Sequence, residues 1–296
     1  MKLIRSIILV ASVLLSFQTV AQKTVNYITY KKSCNKAYVA AIKDSAYLKA
    51  IKHLEKVQKK YGFLTGEEYM LKAYAYKKLN NSLECAENVK LAWSNYSLDF
   101  SYLFEIPELR PNIIVENFNE AEKLLVNEGY ENFAKLKKSP VADSIMGVID
   151  SMGNIDAEVR DKFNEDKSEI NRAKMILIDS LNGIKFKKIV LTYGFPGEKF
   201  YPGKSSSSFI LLLHLADYPI YFKQMSPIFL KEVKAGRMSP TMFLYWLDRH
   251  LFSSQKPSKY LMSLPPGTEM ETNPKVDKRR LKFGVNYGFP NPHNKF

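Results

Sequence analysis

The chain has 296 residues, with 44 Lys and Arg against 30 Asp and Glu, a formal net charge of +14, and 46% apolar and 13% aromatic residues. That apolar share excludes global disorder, and the length suits one large domain or two ordinary ones. The basic excess comes without a nucleic-acid module signature, so the polyanions expected as partners are anionic lipid or glycan rather than nucleic acid.

Lys2 and Arg5 precede an apolar run over residues 7–17, broken by Ser12 and Ser16, and Thr19-Val20-Ala21 supplies small residues for a cleavage site. This is the pattern of a secretory signal peptide. The run is about eleven residues long, short of the ~20 that cross a bilayer as a helix. Cleavage after Ala21 removes two cations and no acid, so the charge falls from +14 to +12. Gln22 becomes the first residue, with no Cys there for lipid attachment. No later stretch is long and apolar enough to span, so the sequence predicts an exported chain, periplasmic or extracellular. In that oxidising setting Cys34 and Cys85 have two readings, a single disulfide or two buried thiols.

Residues 22–138 read as antiparallel helical hairpins. Ala46, Leu48, Ala50, Ile51, Leu54 and Val57 recur at helical spacing until Gly62. Thr65 and Glu68 have the spacing of a capping box and open a second element through Met70, Leu71, Ala73, Tyr74 and Leu79. Asn80-Asn81 turns the chain, and Ser82 starts a third helix through Cys85, Ala86, Val89 and Trp93. Short turns between Ala- and Tyr-rich helices resemble tetratricopeptide-type repeats. Pro107 and Pro111 break the pattern, and a helix resumes over 119–138 with Gly129 as its weak point.

Ser139-Pro140 reads as the start of a second region, 139–285, with a tail over 286–296. A short amphipathic helix is expected over 141–152. A long charged helix is expected over 156–182, with Val159, Phe163, Ile170, Ala173, Ile176, Ile178 and Leu181 inward. Residues 184–193 suit strand or helix, and Gly194 as a C-cap favours helix. The serines at 205–208 offer caps to an apolar helix through His214. Ser226-Pro227 and Ser239-Pro240 each read as a cap followed by Pro at the first helical position. From residue 253 onward Pro, Lys and Gly predict a surface wrap. The fold class expected is all-α.

The second region resembles the bacterial family catalogued as domain of unknown function 6624. The resemblance is carried in order by Asp156-x-x-x-Arg160, Asp179-x-x-Asn182, Tyr193-Gly194-Phe195-Pro196, His214, Asp248-Arg249, and Val276-Asp277-Lys278-Arg279-Arg280 before Phe283-Gly284. Two positions depart from the family pattern. Leu213 stands where Gln is preferred before the His, and Tyr260 is followed by Leu261-Met262-Ser263 rather than Gly-Thr-Gln. The resemblance implies a helical domain and no established activity.

His214 interrupts an otherwise apolar run, with Asp217 one turn later on the same helix face. That pairing suits a general base, with Asp248 and Arg249 as a second acid and an electrophile. The same residues also suit a buried His satisfied by a neighbour and a helix-locking ion pair. Arg160, Asn182, Tyr193, Gly194, Pro196 and Arg280 are candidate binding residues that serve equally as caps and turns. Two Cys and four scattered His make no metal-ligand spacing, and no motif asks for a cofactor. Three functions follow from these readings. The leading one is a protein-interaction or structural module of the cell envelope, meeting its partner through the N-terminal helices. The others are a hydrolase or lyase built on His214, and a polyanion binder using the basic stretch from Lys275 to Lys282.

Overall fold

The computed structural model describes residues 25–95, 109–134, 140–197, 206–260 and 274–285. The leader, the Pro107 break, Ser205, the Leu261-Met262-Ser263 departure and the tail lie outside them. The described residues are helical and contain no strand, and no helix among them is long and apolar enough to cross a membrane.

In the first region α1 (Tyr27–Tyr38) runs on through a π turn over Val39–Lys43. It is followed by α2 (Tyr47–Tyr61), α3 (Gly66–Lys78), α4 (Ser82–Ser94), the single turn α5 (Pro111–Ile114) and α6 (Glu120–Ala134). Gly62 ends α2 at φ +83°, a left-handed C-cap. Ala50, Leu54, Met70, Leu71, Cys85, Ala86 and Val89 make the shared core. Cys34 and Cys85 are both free and buried in it, so of the two readings the structure takes the thiols and not the bridge. The Thr65–Glu68 pair departs from a capping box. The Thr65 hydroxyl donates to the Glu67 and Glu68 carboxylates instead of accepting from the helix amide.

Gly129 is a contact point rather than a weakness. A Cβ there would lie 2.8 Å from both the Cα and the carbonyl oxygen of Lys90, so α4 and α6 approach backbone to backbone. Gly129→Ala must push these helices apart and is expected to destabilise by about 1–3 kcal/mol. An unchanged urea midpoint would remove that close approach.

The second region is built from α7 (Pro140–Glu165), α8 (Glu169–Tyr193), α9 (Ser206–Ala216), α10 (Pro219–Lys234), α11 (Pro240–Ser253) and α12 (Pro274–Leu281). The expected boundaries at 152 and 182 are corrected here, since the helix pair breaks only at 166–168. Ser168 caps α8 by accepting from the Asn171 amide, and the Asp166 carboxylate takes the Ser168 hydroxyl at 2.9 Å. The expected inward face is corrected too. Ile170, Ile176 and Leu181 are exposed, while Asp179, Asn182, Gly183, Phe186 and Val190 turn inward. Ser239-Pro240 opens α11 as its spacing implies, with the Ser239 hydroxyl accepting from the Met242 amide. Ser226-Pro227 does not open a helix, because Pro219 starts α10 two turns earlier and Pro227 lies inside it. The Ser226 hydroxyl instead donates to the Phe222 carbonyl at 2.6 Å and accepts from the Trp246 indole at 2.8 Å.

α9 crosses α7, α8, α10 and α11, so its inward residues Leu211, Leu212 and Leu215 form the centre of the second core with Phe186, Phe229 and Trp246. α1 serves both regions. Tyr27 and Tyr30 belong to the first core and Ile28 to the second, and Gly236 and Gly284 close down on Tyr27 and Ile28.

Candidate functional site

Arg160 lies at the meeting point of α7, α8 and α9. Its Nε donates to the Asp156 carboxylate at 3.1 Å, one helical turn back on α7, and lies 3.0 Å from His214 Nδ1 on α9. Nη2 donates to Asp179 on α8 at 2.7 Å, and Nη1 lies 3.3 Å from the Met175 sulfur. The hydroxyl of Tyr218 donates to the other oxygen of Asp179. Asp156 and Asp179 are buried, while the His214 side chain keeps 22% of its surface open to solvent.

His214 Nδ1 faces two groups, the Arg160 Nε–H, which is directed at it at 3.0 Å, and the Asp156 carboxylate. Nδ1 lies 2.8 Å from Asp156 Oδ2. Among the described residues His214 Nε2 has no hydrogen-bond partner.

Burial acts to raise both carboxyls, with opposite outcomes. For Asp156 the His214 hydrogen bond and charge, helped by Arg160, outweigh burial and hold it below the usual carboxylate range. For Asp179 burial wins over the Tyr218 hydrogen bond and the Arg160 charge, with Asp156 adding to the upward push. Burial and the bond to Asp179 likewise push the Tyr218 phenol up. The two neighbouring carboxyls are thus pushed in opposite directions around one guanidinium.

The same three side chains have a metal-capable chemistry that residue spacing did not reveal, because they come from three helices. Asp156, Asp179 and His214 each place a ligand-type atom within 4.8 Å of the others. Arg160 is hydrogen-bonded to Asp156 and Asp179 and lies against His214, so the place a cation would take among them is filled by the chain's own guanidinium.

The other candidates lie elsewhere. Asp217 does not partner His214, because Arg249 holds both its oxygens in a two-point pair at 2.7 and 2.8 Å. Asp248 is buried and accepts from the Ser258 hydroxyl and the Lys259 and Tyr260 amides, so it pins the chain leaving α11. Arg280 donates to the Tyr260 carbonyl at 2.8 Å and Arg279 to that of Lys259 at 3.0 Å, which commits two cations of the basic stretch to the same segment. Asn182 approaches the Met152 carbonyl at 3.5 Å.

The Tyr193-Gly194-Phe195-Pro196 turn has its own lock. Glu232 accepts from the Phe195 amide at 3.0 Å and is clamped by Arg237 through two contacts at 2.6 Å. The Pro196 carbonyl takes the Ser208 hydroxyl at 2.7 Å. Gly194, at φ +88°, leaves room for Arg237 and Glu232 that a Cβ would occupy. Tyr193 is exposed. Asp156, Arg160, Asp179 and His214, which stand far apart in the chain, thus meet around one guanidinium, whereas Asp217, Asp248 and Arg249 do not join them. Comparison with known protein families, with curated proteins and with solved structures found no match.

Proposed function

We propose that the chain is an exported acid–base enzyme, a hydrolase or lyase, in which His214 Nε2 takes the reacting proton. The observation that carries this reading is the 2.8 Å contact of Nδ1 with Asp156 on a partly open ring whose Nε2 is unpartnered among the described residues. In this reading Nδ1 carries the ring proton and gives it to Asp156, Nε2 holds the lone pair, and the buried carboxylate orients the ring and stabilises the imidazolium once the proton has been taken. Arg160 is a positioning residue that ties Asp156 to Asp179 and keeps the carboxylate from turning away from the ring. Asp179, which also accepts from the Tyr218 hydroxyl, holds the guanidinium from the other side. That four landmark residues of the family resemblance converge at this point supports the same reading.

The test uses chromogenic carboxylic esters, phosphate esters and glycosides, with wild type, His214→Gln and Asp156→Asn. Turnover on one class is expected to fall about 10²–10⁴-fold in His214→Gln. A comparable loss is expected in Asp156→Asn, where the amide favours the wrong tautomer, as for the orienting Asp of a hydrolase triad. Thermal midpoints measured in parallel separate lost chemistry from lost fold. Equal turnover by the wild type and His214→Gln, or none by the wild type on any class, overturns the proposal.

A further inference from the structure

α8 has two apolar faces. One carries Phe186 and Val190 into the core beside Asp179. On the opposite side Ile170, Leu177, Ile184 and Leu191 recur every seventh residue, with Leu181 between them, and all are exposed. Ile170, Ile184 and Leu191 keep 68%, 64% and 62% of their surface open. Single exposed Ile or Leu residues are ordinary, but five aligned along a helix of about 37 Å make a contiguous strip. Ile220 on α10 is 62% open, and a groove lined by Ile184, Lys187, Lys188, Leu191, Tyr221 and Gln224 joins the two helices.

The charges along this helix have one sign. After Glu169 the only acid of α8 is Asp179, which is buried on the far side, while Lys174, Lys185 and Lys188 are exposed beside the strip. A second copy is a poor occupant, since antiparallel pairing about Leu181 sets Lys174 of one helix against Lys188 of the other, and parallel pairing sets each lysine against itself. A partner helix packing knobs into holes fares little better, because Lys174 and Lys188 fill two positions of the seam between the apolar rows. A bilayer surface accepts both features. Lysine stems lie along apolar surface while their ammonium groups reach lipid phosphates, and the Ile and Leu side chains enter the acyl boundary.

The geometry points to α8 as a docking face for an anionic bilayer surface, lying in the membrane plane with Ile184 and Leu191 inserted. This inference is independent of the His214 reading, because Asp179 faces the opposite way on the same helix. The net positive charge, +12 without Lys2 and Arg5, adds long-range attraction to such a surface.

Flotation of the full chain with vesicles of equal parts phosphatidylglycerol and phosphatidylcholine tests it, against phosphatidylcholine alone. Binding to the anionic vesicles is expected to weaken about tenfold or more in Ile184→Glu/Leu191→Glu and again in Lys174→Glu/Lys188→Glu. It is also expected to weaken as salt rises from about 0.05 M to about 0.5 M. The apolar run over residues 7–17 can enter lipid by itself, so the chain beginning at Gln22 is floated in parallel, and binding by it that survives both substitution pairs overturns the proposal. A third variant, Leu191→Trp, reads insertion directly through quenching of its emission by brominated phosphatidylglycerol, and absence of added quenching overturns the proposal. So does equal binding of soluble dextran sulfate by the wild type and Ile184→Glu/Leu191→Glu, which would assign the site to polyanions in general. A dimer in sedimentation equilibrium that dissociates in Ile184→Glu/Leu191→Glu would reassign the strip to a second copy and overturn it as well.

Discussion

Replacing Arg160 with Met is expected to lower the unfolding free energy by about 3–5 kcal/mol at neutral pH, as for other buried charge networks that lose one partner. The guanidinium is the counter-charge for Asp156 at 3.1 Å and Asp179 at 2.7 Å, both buried. Methionine fills similar length but leaves two carboxylates facing each other without their cation. The expected value lies toward the lower end of that range, because a quarter of the Arg160 side chain remains open to water. The Arg160→Met/Asp179→Asn double variant removes one of the stranded charges and is expected to recover part of the loss. The coupling is read from urea midpoints in a double-mutant cycle. Additive effects would mean that the two side chains do not act as a unit.

The pH dependence of the wild type carries two opposite contributions from this network. Asp156 is held below its ordinary value in the folded state, so its stabilisation is present above the unfolded carboxyl range and is lost as pH falls through the lowered value. Asp179 is raised, so it costs stability while ionised in the fold, and that cost is relieved as pH falls through the raised value. On acidification Asp179 therefore protonates first with a gain, and Asp156 later with a loss. In Arg160→Met both carboxyls lose a neighbouring cation, so the penalty of the substitution is expected to shrink as pH drops from about 7 toward about 4. A penalty independent of pH over that interval would locate it in packing rather than charge.

A local helix-start signal is decisive only where no helix is already under way. Ser239-Pro240 needs only its own backbone to be read, whereas Ser226-Pro227 has the same local chemistry in a helix already begun at Pro219. α8 departs from its expected inward face for a different reason. Its outward strip and its inward face are both apolar with a helical period, so periodicity finds the helix and cannot say which side is inside. The inward side also contains Asp179 and Asn182, which a search for apolar stripes passes over. The site was legible by half. His214 stands out as a polar residue in an apolar run, but spacing points to Asp217, one turn away, as its carboxylate. Arg249 takes Asp217, and Asp156 reaches the ring from α7. Pairings between distant helices leave no spacing to read. Only the ordered series of landmarks singled out Asp156, Arg160 and Asp179, and it did not say that they touch.

A comparable loss, about 3–5 kcal/mol, is expected for Lys31→Met in the first region. Lys31 is fully buried on α1, with Nζ 3.0 Å from Glu68 and 3.9 Å from Glu67 and the rings of Tyr27 and Tyr38 about 6 Å away. Burial acts to lower its value, but the two carboxylates outweigh it and hold Lys31 well above the ordinary range. Its stabilisation is therefore complete below the unfolded value and fades only as pH rises through the folded one, so the wild type loses an alkaline contribution that Lys31→Met lacks from the start. Lys31→Met/Glu68→Gln is expected to regain part of the loss by removing one stranded charge.

The consequence should extend beyond the first core, because α1 also places Ile28 in the second and Tyr27 under Gly236. The two tryptophans separate these effects, Trp93 reporting the first core and Trp246 the second. In Trp93→Phe and Trp246→Phe backgrounds, Lys31→Met is expected to shift both fluorescence midpoints in urea together. A shift confined to the Trp93 signal would mean that α1 leaves the second core without unfolding it. The helices around His214 would then stand without support from the hairpins before them.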